Sequence, residues 1–205
     1  MNIGCMPPVS GKRPREGQST SDRRRPVGLD YATCVDAFAA ELGLPAGGDW
    51  TADELLAQED EARLAHFDEG VGVALGLRLL ERAQRDGMPI AFEVFACDRL
   101  VFRAALPGSN TENDRYLATK VTLARETGHP TLLTSRQYRD RLDADPSLRD
   151  ERRASWGPYG GCIPLRAADG SVVGYATVSG LSEQDDHAMV LWAIRALAGA
   201  GEGIR

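Results

Sequence analysis

The sequence predicts an α+β fold in which an antiparallel sheet is covered by helices. About five β-prone segments, most of them paired across short turns, carry that prediction, together with helical segments before, between and after them. No G-x-G-x-x-G or phosphate-loop motif follows a strand, which argues against a doubly wound, nucleotide-binding fold.

At 205 residues, 42% hydrophobic and 26% charged, the chain suits one globular domain rather than a disordered or membrane-embedded protein. No stretch approaches a membrane span, and Met1 to Ser10 lacks the basic and apolar regions of an export signal, so a cytoplasmic location is expected. Cys5, Cys34, Cys97 and Cys162 are scattered, with no CxxC pair and no histidine at ligand spacing, which speaks against structural zinc. Cys97 and Cys162 read as small buried side chains in a reducing compartment. Residues 1–26 carry six basic and two acidic side chains, whereas the rest carries 18 basic and 28 acidic ones. A body this acidic is an unlikely partner for nucleic acid and points to small molecules or proteins.

Residues 1–29, rich in Pro, Gly, Ser and Arg without apolar periodicity, read as a disordered basic extension, and 30–50 as a short helix and linker. Residues 51–205 form the single domain. In the linker region, Val35, Phe38, Ala39 and Leu42 fall near helical spacing before Pro45. Thr51 and Glu54 form a capping box that opens a helix to about Ala62, and Arg63 to Phe67 alternates like a short strand. Asp68 caps a long helix ending near Gly87, whose first half, with Val71, Val73, Ala74, Leu75 and Leu77, is apolar enough to be buried on two sides. Gly72 and Gly76 inside it imply close packing against a sheet or a second subunit.

Met88 to Ala96 and Leu100 to Leu106 read as a hairpin turning at Cys97-Asp98-Arg99. Ser109 with Glu112 forms an expected capping box for a helix to about Gly128, and Thr131 to Leu142 is helical before a charged segment reaching Ala154. Cys162 to Arg166 and Val172 to Ser179 form a second hairpin around Asp169-Gly170. Ser182 then starts a last helix with the stripe Val190, Leu191, Ile194, Leu197 and Ala198.

The runs AALPGSNTENDRYLATK (104–120), RETGHP (125–130) and GGCIPLRAADGSVVGYATVSGLSEQDDHAMVLWAIRAL (160–197) resemble a bacterial and fungal family related to the GlcG/HbpS-like haem-degrading group. The resemblance runs in order from roughly Leu55 to Leu197. It implies a profilin-like fold, a five-stranded antiparallel sheet with helices on both faces in three α/β/α layers, assembled into homo-oligomers. It also implies a tetrapyrrole ligand, haem first, with haem degradation a possible activity of the group.

Within that frame, His187 lies on the same helix face as Leu191, Ile194 and Ala198 and points inward. The positive helix end favours a neutral ring able to accept a proton or bind haem iron; a core histidine bonded to a neighbour is the alternative. Lys120 is the only lysine after the basic extension. Asn113 lies seven residues before it, on the same helix face, so the two can flank a pocket that holds a carboxylate; a solvent-reaching lysine is the alternative. Tyr159 can stack on a flat ring or sit at a subunit contact. Gly161 and Ser179, at the ends of the second hairpin, allow close backbone approach to a ligand, or simply serve turns. Asp186 joins the ligand-binding set, although Asp185-Asp186 also read as helix-start acids. His129 reads as a helix C-cap and His66 as exposed. The function expected is therefore an oligomeric tetrapyrrole-binding protein; the alternative is a non-catalytic oligomeric scaffold for a protein partner.

Overall fold

The computed structural model describes residues 31–45, 48–145 and 159–200. Its helices are α1 (Tyr31–Leu42), α2 (Ala52–Glu61), α3 (Glu69–Arg85), α4 (Thr111–Thr127), α5 (Thr131–Ala144) and α6 (Glu183–Ala200). The strands are β1 (Ala91–Ala96), β2 (Arg99–Ala105), β3 (Cys162–Arg166) and β4 (Val172–Ser179). The basic extension, Gly47 of the linker and the charged segment beyond Asp145 fall outside the described residues.

Both expected hairpins form, and they join edge to edge. β1 lies antiparallel to β4, with Phe92 opposite Val178 and Val94 opposite Ala176, giving a sheet of order β2-β1-β4-β3. Alternation along the strands sorts their side chains onto two faces. Phe92, Val94, Ile163, Leu165, Ala176 and Val178 enter the main core with Leu75 and Leu79 of α3 and Met189, Val190 and Ile194 of α6. Phe95 and Tyr175 point the other way and meet Val121 and Ala124 of α4. On that second face the buried Glu93 is bridged by Arg103 to Asp114 of α4, at 2.6 and 2.7 Å.

Local signals set the helix starts. Thr51 and Glu54 form the expected capping box, and Asp68 accepts from the Val71 amide at 2.8 Å. At α4 the box is shifted by one residue. Asn110 is the cap and Asn113 its partner, while Ser109 Oγ donates to the Leu106 carbonyl instead. The reason is chemical equivalence: an Asn amide oxygen serves as cap or as cap partner as well as Ser or Glu does.

Other expectations need correction. Four strands form among the described residues rather than five. The expected strand from Arg63 to Phe67 contributes one bridge, Leu64 with Ala167. Leu64 is buried while Arg63, Ala65 and His66 are exposed, and the cap at Asp68 turns the chain before a ladder can extend. α3 is covered on one side only, since Val73 and Leu77 stand 37% and 53% exposed. Gly72 and Gly76 behave as expected: a Cβ at Gly72 would come within 2.8 Å of Val101, and one at Gly76 would strike the Phe102 ring. Cys97 is exposed, occupying a turn position at φ +50°, whereas Cys162 is buried.

Candidate functional site

The end of β4, the start of α6 and the middle of α4 converge beside the chain that enters β3. There a cavity of about 210 Å³ is lined by Tyr116, Lys120, Tyr159, Ser179, Leu181, Glu183 and Asp186. Four of the residues singled out from the sequence, Lys120, Tyr159, Ser179 and Asp186, line it. Gly161 and Asn113 adjoin it.

Lys120 is carried on the α4 face that also places Tyr116 one turn earlier. Its ammonium group donates to the Val178 carbonyl and to Asp186 Oδ2, each at 2.8 Å. An ammonium has three donors, so among the described residues one remains beyond these two contacts. Asp186 is fixed from its other oxygen, Oδ1, which accepts from the Leu181 amide at 3.1 Å. Burial pushes the Asp186 carboxyl above its ordinary range, against the opposing pull of Lys120.

Gly161 is required by this arrangement. It has φ +119°, and a Cβ there would fall 2.7 Å from Lys120 Nζ, Asp186 Cβ and the Val178 carbonyl alike. The bare backbone is what lets β3 start against the ion pair. Asn113 has a divided role. Its Oδ1 caps Asn110 at 2.8 Å, and its Nδ2 donates to Ser179 Oγ at 3.4 Å, so much of its hydrogen-bonding capacity is structural.

Three lining residues lay outside the sequence reading. Tyr116 meets Tyr159 edge to face at 5.4 Å, making an aromatic wall. Its spacing of four residues from Lys120 was the available signal. Leu181 carried none. Glu183 reads in sequence as one more helix-start acid, but its carboxylate accepts from Ser135 Oγ and the Gly160 amide, both at 3.2 Å, and pairs with Arg139. That set of contacts ties α5 and the β3 entry to the cavity wall.

His187 is not part of the cavity lining, which corrects the expectation of an imidazole presented to iron. It points inward as its helical spacing required, but into packed core. Its ring lies 5.9 Å from that of Trp50, Nε2 meets Gln58 Oε1 at 3.1 Å, and Nδ1 is buried with no hydrogen-bond partner among the described residues. Burial, helped by Arg195, lowers its pKa to about 3, so the ring is neutral. Asp186 and His187 are adjacent on the helix and so face different surroundings.

Neither of the other histidines reaches the site. His66 is exposed and pairs with Asp68 at 3.0 Å. Gly128, at φ +71°, is the C-cap of α4, while His129 Nδ1 meets the buried Glu59 at 2.9 Å; Arg166 binds Glu59 at 2.7 Å from the other side. No cluster of His, Cys, Asp and Glu suited to a metal ion occurs among the described residues.

Known proteins share this framework. A family model described as haem degrading protein HbpS-like matches residues 68–195. A UPF0303 protein of Streptomyces avermitilis is 32% identical over 147 residues, covering 70% of this chain and 88% of its own. One from Acidobacterium capsulatum is 28% identical over 146 residues, covering 71% and 88%. Among solved structures, the Ybr137w protein superposes with a TM-score of 0.65 at 20% identity, covering 74% of this chain and 90% of that one. The PduOC:heme complex gives 0.50 at 21% identity, covering 65% and 95%. At these identities the two structures speak to the fold.

Proposed function

This chain belongs to the HbpS-like family of haem degrading proteins, and from that premise we propose that it binds a haem-related tetrapyrrole by the ligand's polar edge. The observation that carries the reading is Lys120, a buried ammonium with one donor left among the described residues, lining a cavity beside two tyrosines. A ligand carboxylate would reach that donor. The flat face would lie on Tyr159, which is 46% exposed.

The residues present do not fit an enclosed, histidine-ligated haem. A cavity of about 210 Å³ falls below the roughly 300–1,000 Å³ of pockets that enclose drug-sized ligands, and no histidine lines it. The ring system therefore stays at the mouth, and no step of degradation is assigned to these side chains.

Hemin titration tests the reading. A shifted Soret band is expected at micromolar hemin, weakened in Lys120→Met and in Tyr159→Ala but kept in a His187 variant that retains its fold. No spectral change with the unaltered protein defeats it, and loss of the shift in the His187 variant alone would return the imidazole to the iron.

A homo-oligomeric arrangement is the second part of the proposal. Val73 and Leu77 of α3 and Leu100 of β2 are exposed, and β2 is an edge strand. Such surfaces are commonly covered by a second copy. If the cavity proves empty of tetrapyrrole, the same surface favours the scaffold alternative. No helix among the described residues is long and apolar enough to cross a membrane, and the free thiols of Cys97 and Cys162 accord with the cytoplasmic setting expected.

A further inference from the structure

We propose that Lys120 is a covalent carbonyl-binding residue, whose amine condenses with a small aldehyde or ketone admitted to the cavity. This goes beyond tetrapyrrole binding and shares the cavity and Lys120 with it. The argument starts from residue choice. Of 24 basic residues in the chain, two are lysines, Lys12 and Lys120, and Lys120 sits 2% exposed against a cavity. If the position served only to hold Asp186, an arginine would offer a planar fork for the carboxylate. An arginine cannot give up its proton, and a buried lysine can.

Asp186 stands where that proton must go, 2.8 Å from Nζ, with both side chains 3% exposed. Moving the proton turns two buried charges into a neutral amine and a neutral carboxyl, which removes the cost of keeping both ions out of water. The freed lone pair then forms a C–N bond to the carbonyl carbon. Asp186 returns the proton to the carbonyl oxygen, takes the surplus proton from nitrogen, and delivers it to the hydroxyl, which leaves as water. The net change joins the ammonium and the carbonyl into a protonated imine plus one water, with the Asp186 carboxylate as counter-ion. No oxidant or reductant is required.

The cavity limits the partner. At about 210 Å³ it equals roughly seven water volumes of about 30 Å³ each, room for a molecule of benzaldehyde size. Tyr116 and Tyr159, set edge to face, give it an aromatic corner, and Ser179 places a hydroxyl at the same end of β4. Asp186 already balances the Lys120 charge, so a neutral aromatic carbonyl compound needs no further counter-ion.

The chain's low lysine content makes the test direct. Full-length protein is treated with benzaldehyde and sodium cyanoborohydride at pH 7, and benzylated sites are mapped by mass spectrometry, with Lys12 as internal reference. The expected result is labelling of Lys120 at least about tenfold faster than Lys12, because the cavity orients the reactants. A Lys12 that labels while Lys120 does not overturns the proposal. In Asp186→Asn, Lys120 labelling should slow by about tenfold or more with Lys12 unchanged; an equal rate overturns the assigned proton route. The unaltered protein alone decides the main point if that variant does not fold. Hemin titration is run without aldehyde, so either reading can fail while the other stands.

Discussion

Lys120 Nζ and Asp186 Oδ2 meet at 2.8 Å across the end of β4, and each side chain is 3% exposed. The residues belong to α4 and α6, 66 positions apart. They meet because α4 packs on one face of the sheet while the chain leaving β4 turns at Gly180 into α6. The Val178 carbonyl accepts a second hydrogen bond from Nζ at 2.8 Å, and the Gly161 backbone packs so close that a Cβ there would fall 2.7 Å from Nζ.

Breaking that pair from one side should be costly. Lys120→Met or Asp186→Leu alone leaves an uncompensated buried charge, and each should lower stability in urea denaturation by about 3–5 kcal/mol. The double variant removes both charges and should recover most of that loss. A double variant as unstable as the sum of the singles would contradict the pairing.

His187 should make the protein acid-sensitive in a defined direction. Its folded pKa of about 3 lies below the unfolded value near 6.5, so the unfolded chain binds the proton first. The neutral ring's contribution is therefore complete above about pH 6.5 and falls as pH drops toward 3. From pH 7 to pH 5 the loss from this group should be roughly 2 kcal/mol. Denaturation at the two pH values, compared with a folded His187→Leu variant lacking this increment, checks it.

Two glycines with positive φ should respond differently to alanine. Gly161→Ala places a methyl group 2.7 Å from three atoms, and at φ +119° the backbone itself resists a side chain. A loss above about 3 kcal/mol is expected, together with weaker ligand binding at Lys120. Gly43→Ala meets nothing within 4 Å at φ +67° and should cost only about 1 kcal/mol, the backbone contribution. Thermal melts of both variants make the comparison, and equal losses would place the cost in backbone strain alone.

Self-association should depend on the uncovered side of α3. Leu77, 53% exposed beside Val73, is the residue to change. Sedimentation velocity should give a multimer for the unaltered chain and a shift toward monomer for Leu77→Asp, because burying an unpaired carboxylate at an apolar contact is unfavourable. A chain that sediments as a monomer before any substitution would remove the oligomer from the proposed function.

Segments whose information is local were legible in the sequence. The capping box at Thr51, the Asp68 cap, both hairpins and the last helix from Ser182 appear close to where side-chain chemistry and period placed them. The misreadings arose where local signals tied. Ser109 and Asn110 are both good caps, and only the pull of Leu106 on the Ser109 hydroxyl separates them. Arg63 to Phe67 alternates like a strand, but a ladder needs a partner, and Ala167 supplies a single bridge.

The sequence by itself determined the α+β class, the pairing within each hairpin, the inward face of α6 and the shared face of Asn113 and Lys120 on α4. Each follows from spacing along one segment, where geometry repeats every few residues. Tertiary structure alone decided what those faces meet. His187 turned out to face Trp50 and Gln58, while its neighbour Asp186 faces Lys120 and the cavity. Successive residues on a helix point about 100° apart, so a one-residue step exchanges a dry core for the cavity wall, and only the packing of distant segments says which is which.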